Sequence, residues 1–295
     1  MHTPQIAPHL WFDTQAREAA DWYASILPGS RVTHVAKIEN TPSGEAHVVT
    51  FELAGQPFRA ISAGPLFRFN PSISFLIACA TKEEVDRLWT PFSQGGQVLM
   101  PLDSYPFSER YGWLQDRYGL SWQIMFMGDR TSPRTITPTL IFTGRVAGQA
   151  EEAITLYTSI FPESSIDHID RWGTGDQPNR AGTVKHAGFR LAGQSFAAMD
   201  SAYDHTFAFN EAISLTVSCD TQDEIDHYWS QLSAVPQAEQ CGWLKDRFGV
   251  SWQIVPGVLG EMMTRGSKDQ VMRVTQAFLK MKKFDLAALE RAYRG

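Results

Sequence analysis

Cysteine is scarce in this chain of 295 residues: Cys79, Cys219 and Cys241 are the only three. They are too few, and odd in number, for a disulfide framework, and a reducing cytoplasm is the compartment they favour. No Cys-x-x-Cys pair, nucleophile elbow or Ser-His-Asp order is visible. No apolar run approaches the length of a membrane span. The opening residues, MHTPQIAPHL, lack the basic and apolar regions of a signal peptide. Positive charge is in deficit as well: 26 Lys plus Arg stand against 32 Asp plus Glu, a net charge of −6. A nucleic-acid binder would carry a basic face, so that class is set aside. Nor is there a glycine-rich loop between a strand and a helix. The nearest fragment, Gly173-Thr174-Gly175-Asp176, lacks the third glycine and no helical pattern follows it, which argues against a doubly wound nucleotide or S-adenosylmethionine site.

What the chain does have is itself, twice. Residues 111–125 read YGWLQDRYGLSWQIM and residues 241–255 read CGWLKDRFGVSWQIV, identical at ten of fifteen positions. Average residue usage gives roughly one such match by chance. Other segments follow in the same order: IAPHLWF at 6–12 with ITPTLIF at 136–142, YASILP at 23–28 with YTSIFP at 157–162, and LAGQ at 53–56 with 191–194. A mass of 33.1 kDa suits two domains, here 1–130 and 131–260, followed by an unrepeated extension, 261–295.

Each copy has the same predicted order. An apolar strand (Leu10–Phe12, Leu140–Phe142) precedes a helix that buries Ala16, Ala19, Ala20, Tyr23 and Leu27 and stops at Pro28-Gly29. β-rich runs follow at 31–38, 46–53 and 57–62, then a strand at 73–79. A second helix opens with a capping box, Thr81-x-x-Glu84 and again Thr221-x-x-Glu224. Its apolar stripe, Val85, Leu88, Trp89 and Phe92, recurs as Ile225, Tyr228, Trp229 and Leu232. A hairpin closes each copy, with Asp116-Arg117-Tyr118-Gly119 as turn chemistry. The order is βαβββ four times over. In the extension, Val271, Val274, Phe278 and Met281 mark one helix and Asp285 caps another. Residues 131–260 carry 8 basic and 15 acidic groups, and residues 261–295 carry 8 and 4, which reads as a tail docked on the second copy by charge or as a surface charge gradient with no docking role.

Tandem βαβββ units, a helix ending Tyr-x-x-Ile-Leu/Phe-Pro, and the hairpin GWLxDRxGxSWQI resemble the vicinal-oxygen-chelate superfamily of glyoxalases, bleomycin-resistance proteins and extradiol dioxygenases. Within it the chain is similar to the PhnB-like, 3-demethylubiquinone 3-methyltransferase-like branch, whose C-terminal extension the tail also resembles. The resemblance implies an α+β fold with an eight-stranded, cupped mixed sheet per copy, a small organic molecule on the concave face, and an internal pseudo-dimer able to form a further homodimer. Without a nucleotide-binding loop, the methyltransferase label reads as nomenclature and not as an activity.

In metal-dependent relatives a first-strand His or Gln and a Glu four residues after the turn glycine hold a divalent ion. Here those places hold His9 or Thr139, and Gln123 or Gln253; the fifth-strand positions are Ser74 and Ser214, and Asp200 pairs with Ser62 at the end of the fourth. An amide is a poor substitute for a carboxylate around Fe, Mn, Ni or Zn, so no cofactor is expected. Gln at both positions reads as a polar group aimed into the cup, or as one bonded across the sheet. His9 reads as a ligand group or a surface histidine, and His34 and His168 as paired bases or structural hydrogen-bonders. Trp113 and Trp243 read as aromatic walls for a flat ligand. Cys79 and Cys219 read as apolar fillers. The expected function is metal-independent binding, by sequestration or transformation, of an aromatic or amphipathic small molecule. The other reading is a metal-dependent lyase, isomerase or ring-cleaving dioxygenase.

Overall fold

The structure, a computed structural model, describes residues 3–41, 44–128 and 136–295. The first copy runs β1 (Ile6–Phe12), α1 (Ala16–Ile26), β2 (Arg31–Thr41), β3 (Gly44–Leu53) and β4 (Gln56–Ser62), then β5 (Ile73–Cys79), α2 (Lys82–Ser93), β6 (Gln97–Tyr105), β7 (Ser108–Gln115) and β8 (Ser121–Phe126). The second runs β9 (Ile136–Phe142), α3 (Ala150–Ile160), β10 (Ser165–Arg171), β11 (Val184–Leu191) and β12 (Gln194–Asp200), then β13 (Ile213–Cys219), α4 (Gln222–Leu232), β14 (Trp243–Lys245) and β15 (Ser251–Pro256). Three helices end the chain: α5 (Gly257–Arg265), α6 (Lys268–Phe278) and α7 (Leu286–Arg294).

The two sheets do not follow the two copies. One has the order β14-β15-β13-β1-β4-β3-β2, the other β10-β11-β12-β9-β5-β8-β7-β6. The opening half of each copy therefore pairs with the closing half of the other. Two antiparallel seams join them: β1 to β13, with His9 opposite Ser214, and β9 to β5, with Thr139 opposite Ser74. Within each half the parallel crossover from β1 to β4, or β9 to β12, is bridged by a helix, as parallel pairing requires. One face of each sheet packs on helices through alternate residues such as Phe58, Phe75, Trp122 and Trp252, all buried. Burying a Phe-sized side chain contributes about 1.5–3 kcal/mol, so this face carries the stability. The opposite face is the cup.

Two expectations need correcting. An eight-stranded sheet per copy is not what forms: each sheet draws on both copies, and the sheet containing β1 has seven strands among the described residues. The physical reason is length. The second copy has ten fewer residues between Trp229 and Cys241 than the first has between Trp89 and Tyr111, so it cannot build the long β6–β7 hairpin. The extension occupies the vacated edge. Cys241 N donates to Met281 O (2.8 Å), Gly242 N to Lys282 O (2.7 Å) and Gln240 Nε2 to Leu279 O (2.8 Å). Gly242 has φ +84°, and a Cβ there would lie 2.4 Å from the buried Phe284 ring.

The second correction concerns how the tail docks. Lys282 pairs with Glu239 and Lys283 with Asp226, but these are surface pairs worth about 0–1 kcal/mol each. The backbone bonds and burial of Phe284 and Leu289 do more than charge.

Candidate functional site

The signature hairpin turns out to be a structural bolt. Asp116 accepts hydrogen bonds from Tyr23 Oη (2.7 Å), Trp122 Nε1 (2.9 Å), Tyr118 N and Leu120 N. Asp246 accepts the same set from Tyr157 (2.6 Å), Trp252 (2.9 Å), Phe248 N and Val250 N. The repeated Tyr of the first helix and the repeated DRxGxSW of the hairpin are thus one network, tying α1 to β8 and α3 to β15. Burial pushes the Asp116 carboxyl up to about 6, against the downward pull of its donors, and Asp246 moves the same way. Neither carboxylate faces a cup.

The cups are lined by the other face of the strands. In the cup of the β1 sheet, one row runs Ser251, Ser214, His9, Arg59 and a second holds Trp243, Gln253, Thr216, Ala7. The equivalent rows of the other cup are Ser121, Ser74, Thr139, Ala197 and Trp113, Gln123, Leu76, Thr137. The backbones correspond; the chemistry does not. His9 has become Thr139, Arg59 has become Ala197, and Thr216 has become Leu76.

The central strands of the second cup carry no charged side chain there, and their hydrogen bonds close on one another. Tyr111 Oη donates to Gln123 Oε1 (2.8 Å), Gln123 Nε2 to Ser74 Oγ (2.7 Å), and Trp113 Nε1 to Ser121 Oγ (2.8 Å). In the first cup Gln253 Nε2 still donates to Ser214 Oγ (2.8 Å), but Cys241 stands where Tyr111 does, with its Sγ directed to Phe278 O. Four buried side-chain polar atoms have no hydrogen-bond partner among the described residues; His9 Nδ1 and Thr216 Oγ1 are two of them, and both line the first cup. An unpaired buried polar atom costs about 1–3 kcal/mol, so two in one small region need a reason.

Arg59 deepens the asymmetry. It is half-buried, has no ion pair among the described residues, and its Nη2 donates to Ser218 Oγ at 3.3 Å. Burial alone pulls its pKa down. Burial and the Arg59 charge together hold His9 down at about 3, so its imidazole is neutral. Aromatic rings wall the same place: Trp243 meets His9 edge-on at 5.4 Å and Trp11 at 6.0 Å, and Trp11 meets Phe67 at 5.1 Å.

The structure therefore brings His9, Ser214, Trp243 and Gln253 together in one cup, and Ser74, Trp113, Gln123 and Thr139 in the other. Asp200 belongs to neither. Its carboxylate lies on the helix-packed side and accepts from Gly148 N (2.7 Å), Ala150 N (3.1 Å) and Val184 N (2.9 Å), fixing the start of α3. Its counterpart Ser62 does the same for Ala16 N (3.0 Å). Arg59 and Thr216 were missed by sequence reasoning. The signal was there: aligned on LAGQ, Arg59 falls opposite Ala197, a charge with no repeat partner. His34 is exposed, and His168 bonds His186 at 3.0 Å.

On its central strands β15, β13, β1 and β4 the first cup offers one imidazole, an amide, hydroxyls and no carboxylate, beside a fixed guanidinium; that set does not fit Fe, Mn, Ni or Zn. On its central strands the second cup offers neither imidazole nor carboxylate. Its row Thr139, Ala197 runs on through Gly188 to His168 at the β10 edge, where His168, Asp170 and His186 have their ligand atoms within 4.8 Å of one another. Burial and His168 push the His186 pKa down, against Asp170, which keeps that ring neutral. Imidazole and carboxylate donors of this kind suit Zn, Ni or Cu.

Two surface cavities, of about 250 Å³ beside Met262 and Tyr293 and about 580 Å³ beside Glu152 and Arg247, lie away from both cups. No helix of the described residues is long and apolar enough to cross a membrane.

The interleaved cupped sheets define the class of protein. Glyoxalase I from Zea mays has a similar fold, with a TM-score of 0.53 over 88% of this chain and 95% of that one at 10% identity. A glyoxylase/bleomycin resistance protein/dioxygenase domain from Frankia sp. EAN1pec is 11% identical, with a TM-score of 0.31, covering 42% of this chain and 90% of its own. The PhnB protein from Bacillus cereus is 35% identical over 41% of this chain and 97% of its own, with a TM-score of 0.38. The profile of the 3-demethylubiquinone-9 3-methyltransferase family matches twice, at residues 4–125 and 134–255, and the chain belongs to that family as a tandem two-copy member. No curated protein matches it.

Proposed function

We propose that the protein binds a small aromatic or amphipathic organic molecule in the cup of the β1 sheet, without a metal ion, and sequesters it or transforms it by polar contacts. The observation that carries this reading is the pair of unpartnered buried atoms, His9 Nδ1 and Thr216 Oγ1, in one cup, beside a second cup whose hydrogen bonds are closed. Groups left unsatisfied at such a cost are the groups a ligand would engage. Trp243 and Trp11 supply the flat apolar surface. The same cup supports two roles for its own residues: binding through dipoles and stacking, and orientation of a ligand against the neutral His9 ring.

The test is a thermal-shift and tryptophan-quenching screen of small organic molecules on the intact protein and on Trp243→Phe. Ligands that raise the melting temperature and quench wild type more than Trp243→Phe support the reading. A screen in which nothing shifts and nothing quenches overturns it. The second reading, a metal-dependent enzyme, has the His168, Asp170 and His186 cluster in its favour. Elemental analysis of protein purified without chelator separates the two: stoichiometric Fe, Mn, Ni or Zn, lost in His186→Ala, favours the second.

A further inference from the structure

We infer that the first cup takes an organic anion: its ligand carries a carboxylate or phosphoryl group that engages the Arg59 guanidinium and the Thr216 hydroxyl. This rests on the small-molecule reading above and specifies the ligand class.

Arg59 is a cation placed inside a concave surface without a counter-charge among the described residues. Strand β1 separates β4 from β13, yet the Arg59 side chain reaches over it to Ser218 on β13. It can do so because the small side chain of Ala7 lies on the cup face of β1 opposite Thr216. One neutral hydroxyl at 3.3 Å leaves most of the five guanidinium donors unused. Among the described residues, two nearby acids are spent elsewhere: Glu52 pairs with Arg31, and Glu211 with Lys245. A half-buried guanidinium is costly without a partner, and its planar fork matches carboxylate and phosphoryl oxygens.

The neighbours fit the same ligand. Thr216 Oγ1 is buried and free to donate, and His9 Nδ1 is buried and unpaired beside it. Trp243 stands edge-on to His9, so the organic body of the ligand meets an aromatic wall where its charged group meets Arg59. The second cup is the internal control. With Ala197, Leu76 and Ala78 at the places of Arg59, Thr216 and Ser218, it has neither cation nor hydroxyl at those three places. One cup in two has been made anion-selective on the same backbone.

The experiment compares shape-matched probes of different charge: benzoate and phenylphosphonate against neutral benzamide, by calorimetric titration of the full chain in zwitterionic buffer. Wild type is expected to bind the anions at least tenfold more tightly than benzamide. Arg59→Gln is expected to erase that ratio by weakening the anions at least tenfold more than benzamide; Arg59→Lys keeps a reduced preference, and Thr139→Val in the second cup leaves the ratio as it is. Because it removes a desolvated, unpaired cation, Arg59→Gln is also expected to melt no lower than wild type. Equal affinity for benzoate and benzamide in wild type overturns the inference and leaves the small-molecule reading standing, as does an anion preference that survives in folded Arg59→Gln. If no probe of either charge binds, the inference falls, and the screen described above decides the small-molecule reading separately.

Discussion

Replacing His9 by Gln tests the electrostatics of the first cup through stability alone. The imidazole titrates at about 3 in the folded chain, held down by burial and by Arg59, against about 6.5 when unfolded. Below pH 6.5 the unfolded state therefore takes up a proton that the folded state refuses. Stability fully present above pH 6.5 is lost as pH falls, by about 1.4 kcal/mol per pH unit, or about 2 kcal/mol at pH 5. Asp116 works the other way. Its carboxyl, raised to about 6, keeps a proton in the folded state that the unfolded state has shed, so it favours folding as pH falls from 6 towards 4. The two slopes oppose each other in wild type, and only the difference between wild type and His9→Gln isolates the histidine. Urea denaturation of both proteins at pH 7.5, 6.5, 5.5 and 5.0 measures it. Expected is a variant whose stability relative to wild type improves by about 2 kcal/mol between pH 7.5 and pH 5. A difference that stays constant over that range would refute the account of a buried, unpaired histidine beside a cation.

Asp246→Asn should destabilise by about 3–5 kcal/mol, because its amide hydrogens would meet donors of a buried network, and calorimetry would show this as a large drop in melting temperature; a change below 1 kcal/mol would contradict the bolt. Gly242→Ala combines a left-handed backbone with a clash on Phe284 and should cost about 2–3 kcal/mol while releasing the tail, seen as faster proteolysis within 261–295. Residues 1–128 expressed alone leave β1 and β5 without their seam partners, and light scattering should find a dimer that re-forms both seams with a second copy; a stable monomer would count against the interleaved sheets.

Much of the fold was legible because it is periodic and repeated. The βαβββ order of the first three units, the capped second helix and the Asp285 cap all follow from local spacing, and each is present: Thr81 Oγ1 accepts from Glu84 N at 3.2 Å, and Asp285 Oδ1 from Ala288 N at 2.8 Å; the fourth unit has one strand fewer among the described residues. Which half pairs with which was not legible. Pairing of β1 with β13 instead of β5 is settled across the chain, where neighbouring residues in sequence carry no trace of it. The site was half legible. Gln253, Ser214 and His9 stood out by comparison with the repeat. Asp200 misled because a carboxylate at a strand end serves a helix start as readily as a cup. Arg59 escaped because a single arginine in an alternating strand reads as an exposed charge until its neighbours are known. The conspicuous GWLxDRxGxSWQI motif drew the eye to chemistry, and its aspartates hold the scaffold.

The seam between β1 and β13 also sets a timetable. About 200 residues separate Phe12 from Ile213, so at roughly 5–20 residues per second a ribosome needs about 10–40 seconds to deliver the partner of the first strand. Until then Ile6–Phe12 is an apolar ribbon with an open flank, inviting other nascent chains to add on. Pro8 sits in the middle of that ribbon and Pro138 in its counterpart, each removing one amide donor from the template. A residue that weakens the finished ladder slightly can thus guard the chain during its own birth.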